Sequence, residues 1–406
     1  MSSITHESFL DCLEQSNLLD AEQLQKARNI HEDQPSKLAE QLVQAELLTP
    51  WQAHQLLAGY SQLTVGKYKL LRVISNGAMG TVYLARTEDE RGEVALKVVS
   101  QEALSTNPNA AERFLREVKT LSKLGHPNIV QVYDEDHDGD LHFLVMEYVK
   151  GQDLKAWLRR FPRMEIDWSC EVVRQTALGL QHAHERGFVH RDVKPSNLLV
   201  VADDLTTFPQ VKILDWGVVR LMEKEWEGKN LTYASQILGT PDYMAPEQAY
   251  DPRLVDVRAD IYGMGCTLFR MVTGRVPFEG NSPMEKLMAR AGKEAPRASK
   301  FWPDIPPALD AVIGRMLAHD LANRYQTPAE VAEALAPFCM PNTQGTVEES
   351  SESTIETAPP KAAPLPFPAP VSRSATSDAD RKLVLWIIAS AAVSGLVSGL
   401  TVWLLK

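Results

Sequence analysis

HRDVKPSN, residues 190–197, places a carboxylate (Asp192), an ammonium (Lys194) and an amide (Asn197) within six positions. Pro195 stiffens the turn between them, and the apolar run Leu198, Leu199, Val200 that follows reads as a short buried strand. A strand pins such a loop while the loop keeps its side chains reachable, which suits chemistry. An Asp and an Asn five positions apart also fit a capped turn with no chemical role. The pieces on either side decide between the two.

Upstream, residues 154–161 and 170–186 carry apolar side chains at helical spacing, and Gly187 suits a C-cap for the second helix. Downstream come a strand at 211–214, the triplet Asp215, Trp216, Gly217, and a polar irregular stretch, 218–238, that contains Thr232 and Ser235. A loop of that length inside a compact domain is usually functional or mobile. GTPDYMAPEQ, residues 239–248, closes it, and helices are expected at 260–273, 284–291, 308–318 and 328–335. Before residue 150 the period changes. Strands are expected at 68–74, 81–86, 94–99, 129–133 and 142–148, with an acidic turn at 134–140 and the link Ser75, Asn76, Gly77, Ala78, Met79, Gly80 between the first two. Lys97 sits among apolar strand residues, which is expensive without a partner. Residues 112–124 are expected to form an amphipathic helix bearing Glu117. The expected class is α+β: a small antiparallel sheet with one helix, then a mainly helical part.

Composition bounds the rest. The 406 residues exceed one ordinary domain, and the net charge of −11 argues against nucleic acid as a partner. Cys12, Cys170, Cys266 and Cys339 form no CxxC pair and fit reduced thiols of a cytoplasmic protein. The first 20 residues lack the pattern of a secretory signal. Residues 1–62 show apolar positions at helical spacing and an internal echo: Leu13-x-Gln15-x-x-Leu18-Leu19-Asp20 returns 29 positions later as Leu42-x-Gln44-x-x-Leu47-Leu48-Thr49. Asp20 and Thr49 suit helix N-caps, and Pro50 suits a first helical position. Two helix–turn–helix units would pack on each other or on the next domain; the alternative is a plain helical extension with no partner. Residues 339–382 are a linker rich in Pro, Ser, Thr and Glu, with seven prolines between 341 and 370. Its hydroxyls suit either phosphorylation or solubility.

Residues 383–405, LVLWIIASAAVSGLVSGLTVWLL, contain no charge and as a helix would span about 34 Å, enough for the ~30 Å hydrocarbon core. They are expected to form a transmembrane helix, with Trp386 and Trp403 at the interfaces and Arg381 and Lys382 marking the cytoplasmic side. With only Lys406 beyond the span, no sensor domain is expected across the membrane. Ala391, Gly395 and Gly399 make a small-residue stripe that suits a homodimer, although such residues are common in membrane helices.

Together and in this order, GAMG at 77–80, VALK at 94–97, Glu117, HRDVKPSN, DWG at 215–217, APE at 245–247, DIYGMG at 260–265 and Arg324 resemble the protein kinase catalytic domain over residues 68–338. The resemblance implies a two-lobed fold, N-lobe 68–148 and C-lobe 150–338. In detail it is similar to bacterial membrane-anchored Ser/Thr kinases of eukaryotic (Hanks) type, and LLTPWQAHQLLAG, 47–59, resembles the segment preceding such kinases in planctomycete-type bacteria. It implies ATP with Mg²⁺ or Mn²⁺, protein substrates bearing Ser or Thr, a kinase domain on the cytoplasmic face of a bacterial inner membrane, and autophosphorylation; the rival is a pseudokinase scaffold.

By this resemblance Asp192 accepts the substrate proton and Lys194 lies near the transferred phosphate. Asn197 and Asp215 hold metal, and Lys97, held by Glu117, meets the α/β-phosphates. Ile74, Ser75, Asn76, Gly77, Ala78, Met79, Gly80, Thr81, Val82 and Ala95 cover the nucleotide; Gly77 and Gly80 let backbone amides approach its phosphates. Met146 guards the adenine pocket, or is plain core, and Glu147–Val149 form the hinge. Thr232, Ser235 and Thr240 are activation-loop candidates, with Arg191 to receive a phosphate; Thr240 has the alternative of contacting Asp192 and Lys194. Asp260 and Arg324 are scaffold, Arg324 pairing with Glu247. His190 packs with Val132, Leu121 and Trp216. Ser75 stands where a first glycine is usual, and Trp216 where phenylalanine is usual.

Overall fold

The computed structural model describes residues 4–30, 32–77, 80–87, 89, 91–99, 122–139, 141–215, 241–250 and 255–341. Ala78, Met79, Glu117 with the expected helix around it (112–121), Leu121, Trp216, Thr232, Ser235, Thr240, the linker from 342 and the apolar stretch 383–405 lie outside them. Among the described residues no helix is long and apolar enough to cross a membrane.

Four helices open the chain: α1 (His6–Gln15), α2 (Ala21–Arg28), α3 (Pro35–Gln44) and α4 (Pro50–Leu57). Helices of eight to ten residues are marginal alone in water, so their shared core holds them: Phe9, Leu13, Leu38, Leu42, Leu48 and Leu56 are buried together. The 29-residue echo reaches the backbone. Helices α3 and α4 repeat the bounds of α1 and α2 at that offset, and each turn carries one left-handed residue, Asn17 (φ 53°) and Glu46 (φ 56°). Asp20 and Thr49 each cap the next helix, and Gln23 and Gln52 complete reciprocal capping boxes.

A six-stranded antiparallel sheet follows: β1 (Thr64–Val65), β2 (Tyr68–Gly77), β3 (Gly80–Arg86), β4 (Glu93–Val99), β5 (Val132–Asp138) and β6 (Leu141–Glu147), in the order β1-β2-β3-β4-β6-β5. Strand pairing sorts its two faces. Leu96, Phe143 and Val145 lie on one, buried with Tyr68, Leu70 and Val94, and Trp51 of α4 packs against this cluster. Val82, Leu84, Ala95, Lys97, Leu144 and Met146 lie on the other.

The expectation for 129–140 is corrected. The acidic residues assigned to a turn form most of β5, Asp134 pairing with Val145 and Asp138 with Leu141, and the turn is confined to the end of that stretch. As an edge strand β5 is largely exposed, so carboxylates are tolerated where alternation would suggest a loop. Ile129 and Val130 leave the sheet: Ile129 bridges Ile213 in parallel, and the Val130 amide donates to the Ile213 carbonyl (3.1 Å).

The rest is mainly helical: β7 (Gln152–Asp153), α5 (Leu154–Arg160), α6 (Ile166–His184), β8 (Leu198–Val201), β9 (Gln210–Ile213), α7 (Pro246–Tyr250), α8 (Val257–Thr273), α9 (Pro283–Gly292), α10 (Pro307–Met316) and α11 (Pro328–Leu335). Helix α6 begins four residues earlier than expected, and α8 begins after Asp256, whose carboxylate accepts from the Arg258 amide. Trp168, Val172, Leu180, Ile261 and Phe269 centre the core. All four cysteines are free thiols, and burial pushes Cys266 up to about 12, so it is an inert core residue.

Candidate active site

The loop 190–197 is held from below by one carboxylate. Asp260, buried on α8, accepts from the backbone amides of His190 (2.8 Å) and Arg191 (2.6 Å). Arg191 has φ +65°, a region that costs a side-chain-bearing residue about 1–3 kcal/mol unless its surroundings impose it. Asp260 and the Gln248 side-chain amide, which donates to the Arg191 carbonyl (2.8 Å), impose it here. Burial raises the pKa of Asp260; the neighbouring His190 and the two donated amides only partly offset this.

His190 is fully buried and structural. Its Nε2 meets the Leu214 carbonyl (2.8 Å), and its Nδ1 accepts from the Asp192 amide (3.2 Å), which assigns the proton to Nε2. The Leu214 amide donates to the Asn197 carbonyl (2.8 Å). Both backbone polar groups of the residue before Asp215 are therefore tied to the loop, and Asp215 itself takes φ +47°.

Within the loop, Lys194 Nζ (2.7 Å) and Asn197 Nδ2 (3.1 Å) both donate to Asp192 Oδ2, and Nδ2 also reaches the Asp192 carbonyl (2.8 Å). These bonds orient the carboxylate while Oδ1 remains to accept a proton. They also set the Asn197 amide oxygen on the other side, near the Ser196 hydroxyl (3.3 Å). Asn197 and Asp215 thus offer hard oxygen donors of the kind Mg²⁺ or Mn²⁺ prefers, so the donor set fits such a cation.

From the sheet, Lys97 reaches Asp215 across 118 positions of chain, Nζ to Oδ1 at 2.5 Å. Partial burial would raise the pKa of Asp215, but the Lys97 charge and hydrogen bond outweigh it and hold the carboxyl below its usual range. Val82, Ala95 and Met146 share the face of Lys97. Ser75 pairs with Val82, Asn76 with Thr81, and Gly77 with Gly80, so these residues run to the end of the β2–β3 ladder; Ile74 is exposed beside them. The two glycines differ in their reasons. Gly80 has φ +133°, and a Cβ there would overlap the Val98 carbonyl oxygen of β4, whereas the nearest atom to a Cβ on Gly77 is 3.8 Å away. Gly80 is required by the sheet itself, whereas Gly77 has room for a Cβ.

Glu147 does more than the hinge reading implies. Its carboxylate pairs with Lys212 of β9 (2.7 Å) and accepts from the Gln131 amide (3.2 Å), clipping the end of the sheet to the helical part; Val149 follows, its carbonyl bonded by the Gly151 amide (3.0 Å). Arg324 is fully buried and makes a bidentate pair with Glu247 (2.8 and 3.1 Å). The sequence reading missed Lys212 and Gln248. Alternation along β9 places Lys212 off the buried face, a signal that was available. Nothing local marks Gln248.

A sheet lobe whose lysine meets the aspartate of a helical lobe, above a loop with Asp192, Lys194 and Asn197, is the arrangement of a phosphotransferase. Residues 68–335 match the protein kinase domain family, and the chain belongs to it. Its fold is two-lobed, with an antiparallel sheet N-lobe and a helical C-lobe. The chain is 32% identical over 293 residues to serine/threonine-protein kinase PrkC of Bacillus subtilis, covering 71% of this chain and 44% of that protein. It is 31% identical over 351 residues to PknB of Mycolicibacterium smegmatis (83% and 54%) and 36% identical over 270 residues to Pkn1 of Myxococcus xanthus (66% and 38%). The chain thus spans about half the length, or less, of these curated relatives. Among solved structures, the PknI kinase domain of Mycobacterium tuberculosis superposes with TM-score 0.53 at 29% identity, over 68% of this chain and 98% of that one. Kinases of this family use ATP with Mg²⁺ or Mn²⁺.

Proposed function

We propose that this chain is a serine/threonine protein kinase that transfers the γ-phosphoryl group of ATP to protein hydroxyls. The observation that carries the reading is the meeting of Lys97 with Asp215 above the loop that presents Asp192. The hydroxyl oxygen forms the new bond to phosphorus, the bond from phosphorus to the ADP oxygen breaks, and the hydroxyl proton passes to Asp192 Oδ1. Lys194, bonded to Asp192, lies where it offsets charge on the moving group, and Lys97 offers its charge to the α/β-phosphates. A divalent cation held by Asn197 and Asp215 would neutralise phosphate charge. Ile74, Ser75, Asn76, Gly77, Thr81, Val82, Ala95, Met146, Glu147 and Val149 are assigned to the nucleotide pocket; Gly80 shapes the hairpin. Ala78, Met79 and Glu117 belong to the same proposed pocket, and Thr232, Ser235 and Thr240 are proposed phosphorylation sites.

Residues 1–62 are proposed as a helical module and 383–405 as a membrane anchor, which would place the catalytic domain at the cytoplasmic face of a bacterial membrane and allow pairing through the Ala391–Gly395–Gly399 stripe. The apolar, charge-free run supports the anchor. The planctomycete-like assignment rests on residues 47–59. A pseudokinase scaffold is disfavoured because Lys97, Asp192, Asn197 and Asp215 are all present. The test is phosphate incorporation by the full chain with labelled ATP and Mg²⁺, beside Asp192→Asn. A loss of about 10²–10⁴ in rate is expected; equal incorporation by both chains would reject the enzyme reading.

A further inference from the structure

The two capping boxes of the N-terminal helices differ in one chemical respect. In the first, Asp20 accepts from the Gln23 amide (2.8 Å), and Gln23 Oε1 accepts from the Asp20 amide (3.1 Å). In the second, Thr49 and Gln52 exchange the same bonds (3.1 and 2.7 Å). A threonine hydroxyl, unlike a carboxylate, still has a hydrogen to donate. Thr49 Oγ1 donates it to the Leu71 carbonyl, and Gln52 Nε2 donates to the Leu70 carbonyl, both at 2.7 Å. Leu70 and Leu71 sit where the β2–β3 register shifts, at a bulge between Leu70 and Arg72, where a ladder leaves backbone groups unpaired. Gln52 is buried, so its amide needs those partners. Between the two clamp residues Trp51 lies against Tyr83, ring centroids 5.9 Å apart, and Tyr83 pairs with Val73 across the hairpin. Helix α4 therefore grips both strands that carry the Gly77–Gly80 tip, from the face opposite Lys97.

We propose that the α4 capping box is a clamp on the nucleotide hairpin, with Thr49 and Gln52 as positioning residues for ATP. The proposal rests on the nucleotide-site reading above. From Leu71 to Gly77 the strand runs about 20 Å at ~3.3 Å per residue, and its side chains alternate faces. A bulge that slips by one residue turns Ile74–Gly77 to the wrong side. The clamp pins the bulge, and so fixes which of those groups face the cleft. Because the grip lies wholly on the covered face, it leaves the cleft clear. It also gives the module a route to the active site without touching substrate.

The experiment compares full-length Thr49→Asp and Gln52→Glu with the wild type. Each keeps its capping acceptor and replaces the donor to β2 with a carboxylate oxygen, which repels the Leu71 or Leu70 carbonyl. Thr49→Ser restores the donor, and Asp20→Ala weakens the other box alone. Three quantities are read: the Kd for MgATP by titration, KM for ATP against kcat, and amide hydrogen exchange at 70–77. Thr49→Asp and Gln52→Glu are expected to exchange faster at 70–77 and to bind MgATP about three- to ten-fold more weakly, the equivalent of one hydrogen bond. KM should rise with kcat little changed. Thr49→Ser should match the wild type, and Asp20→Ala should lower the melting temperature without moving Kd. Unchanged exchange and Kd in Thr49→Asp and Gln52→Glu, or an equal loss in Asp20→Ala, would overturn the clamp. Faster exchange in a chain whose wild type binds no MgATP would reject the nucleotide reading, and with it the positioning role, while keeping the contact.

Discussion

Gly77 and Gly80 are three residues apart and serve one hairpin, yet a methyl group should affect them in opposite ways. In Gly80→Ala the new Cβ would overlap the Val98 carbonyl oxygen, with the Val98 carbonyl carbon and Val99 Cα at 3.0 and 3.2 Å. These are backbone atoms of the neighbouring strand, so no side chain can swing aside. Relief requires either the φ of +133° to change or the end of the β3–β4 ladder, where Gly80 pairs with Val99, to open. The backbone strain is about 1–3 kcal/mol, and one or two lost ladder bonds add roughly 0.5–1.5 kcal/mol each. A loss of about 2–4 kcal/mol follows, or roughly 5–12 °C in melting temperature for a domain of this size. Gly77→Ala meets nothing closer than 3.8 Å and should melt within about 0.5 kcal/mol of the wild type, while its Cβ intrudes where phosphates would approach and weakens MgATP binding. Thermal unfolding and nucleotide titration of the two variants side by side separate the effects. If Gly80→Ala melts like the wild type, or Gly77→Ala loses as much stability, the distinction between a packing glycine and a ligand glycine fails.

Other outcomes follow from the same geometry. Arg324→Met strands Glu247 in the core and should cost about 3–5 kcal/mol by chemical denaturation, because a buried charge loses its partner; a shift below 1 kcal/mol would contradict the pairing. Burial first, then the charge of His182, lowers the pKa of His126 below 6.5, so the folded chain binds fewer protons than the unfolded one just below that pH. Stability should therefore fall as pH drops through 6.5 toward 5, and His126→Gln should flatten the melting-temperature profile over that range. Asp215 has the opposite sign. Its depressed pKa means that the Lys97 pair contributes fully above the ordinary aspartate value and is lost as pH falls below it, so Lys97→Met should lower stability at pH 7 and progressively less below pH 4. Equal differences at both pH values would refute that sign.

The family was legible in the sequence because its chemistry is written in short ordered motifs, and the HRDVKPSN loop is where the structure gathers the polar groups. The paired helices were legible from the leucine echo and from Asp20 and Thr49 at their caps. What escaped was non-local. Lys97 was expected to need a partner, but its meeting with Asp215 depends on a chain separation that no periodicity reports. The acidic run in β5 reads as a loop to any alternation rule, since an edge strand exposed on both sides has no buried face to mark it. Gln248 and Lys212 are ordinary polar residues until Arg191 and Glu147 come within reach. Gly80 was read through phosphates because a sequence shows a missing side chain but not the neighbouring strand that forbids one.

The fence of carboxylates along β5 also bears on how copies of the chain meet. A bare sheet edge is an open template that a second molecule's strand could extend, yet Asp134, Glu135, Asp136 and Asp138 line this one, and like charges would face each other in any side-by-side union. Crowded molecules are thereby steered away from zipping their sheets together, and mutual recognition is left to other surfaces. Neutralising the row with four asparagines should turn a well-behaved solution into one that clouds on concentration.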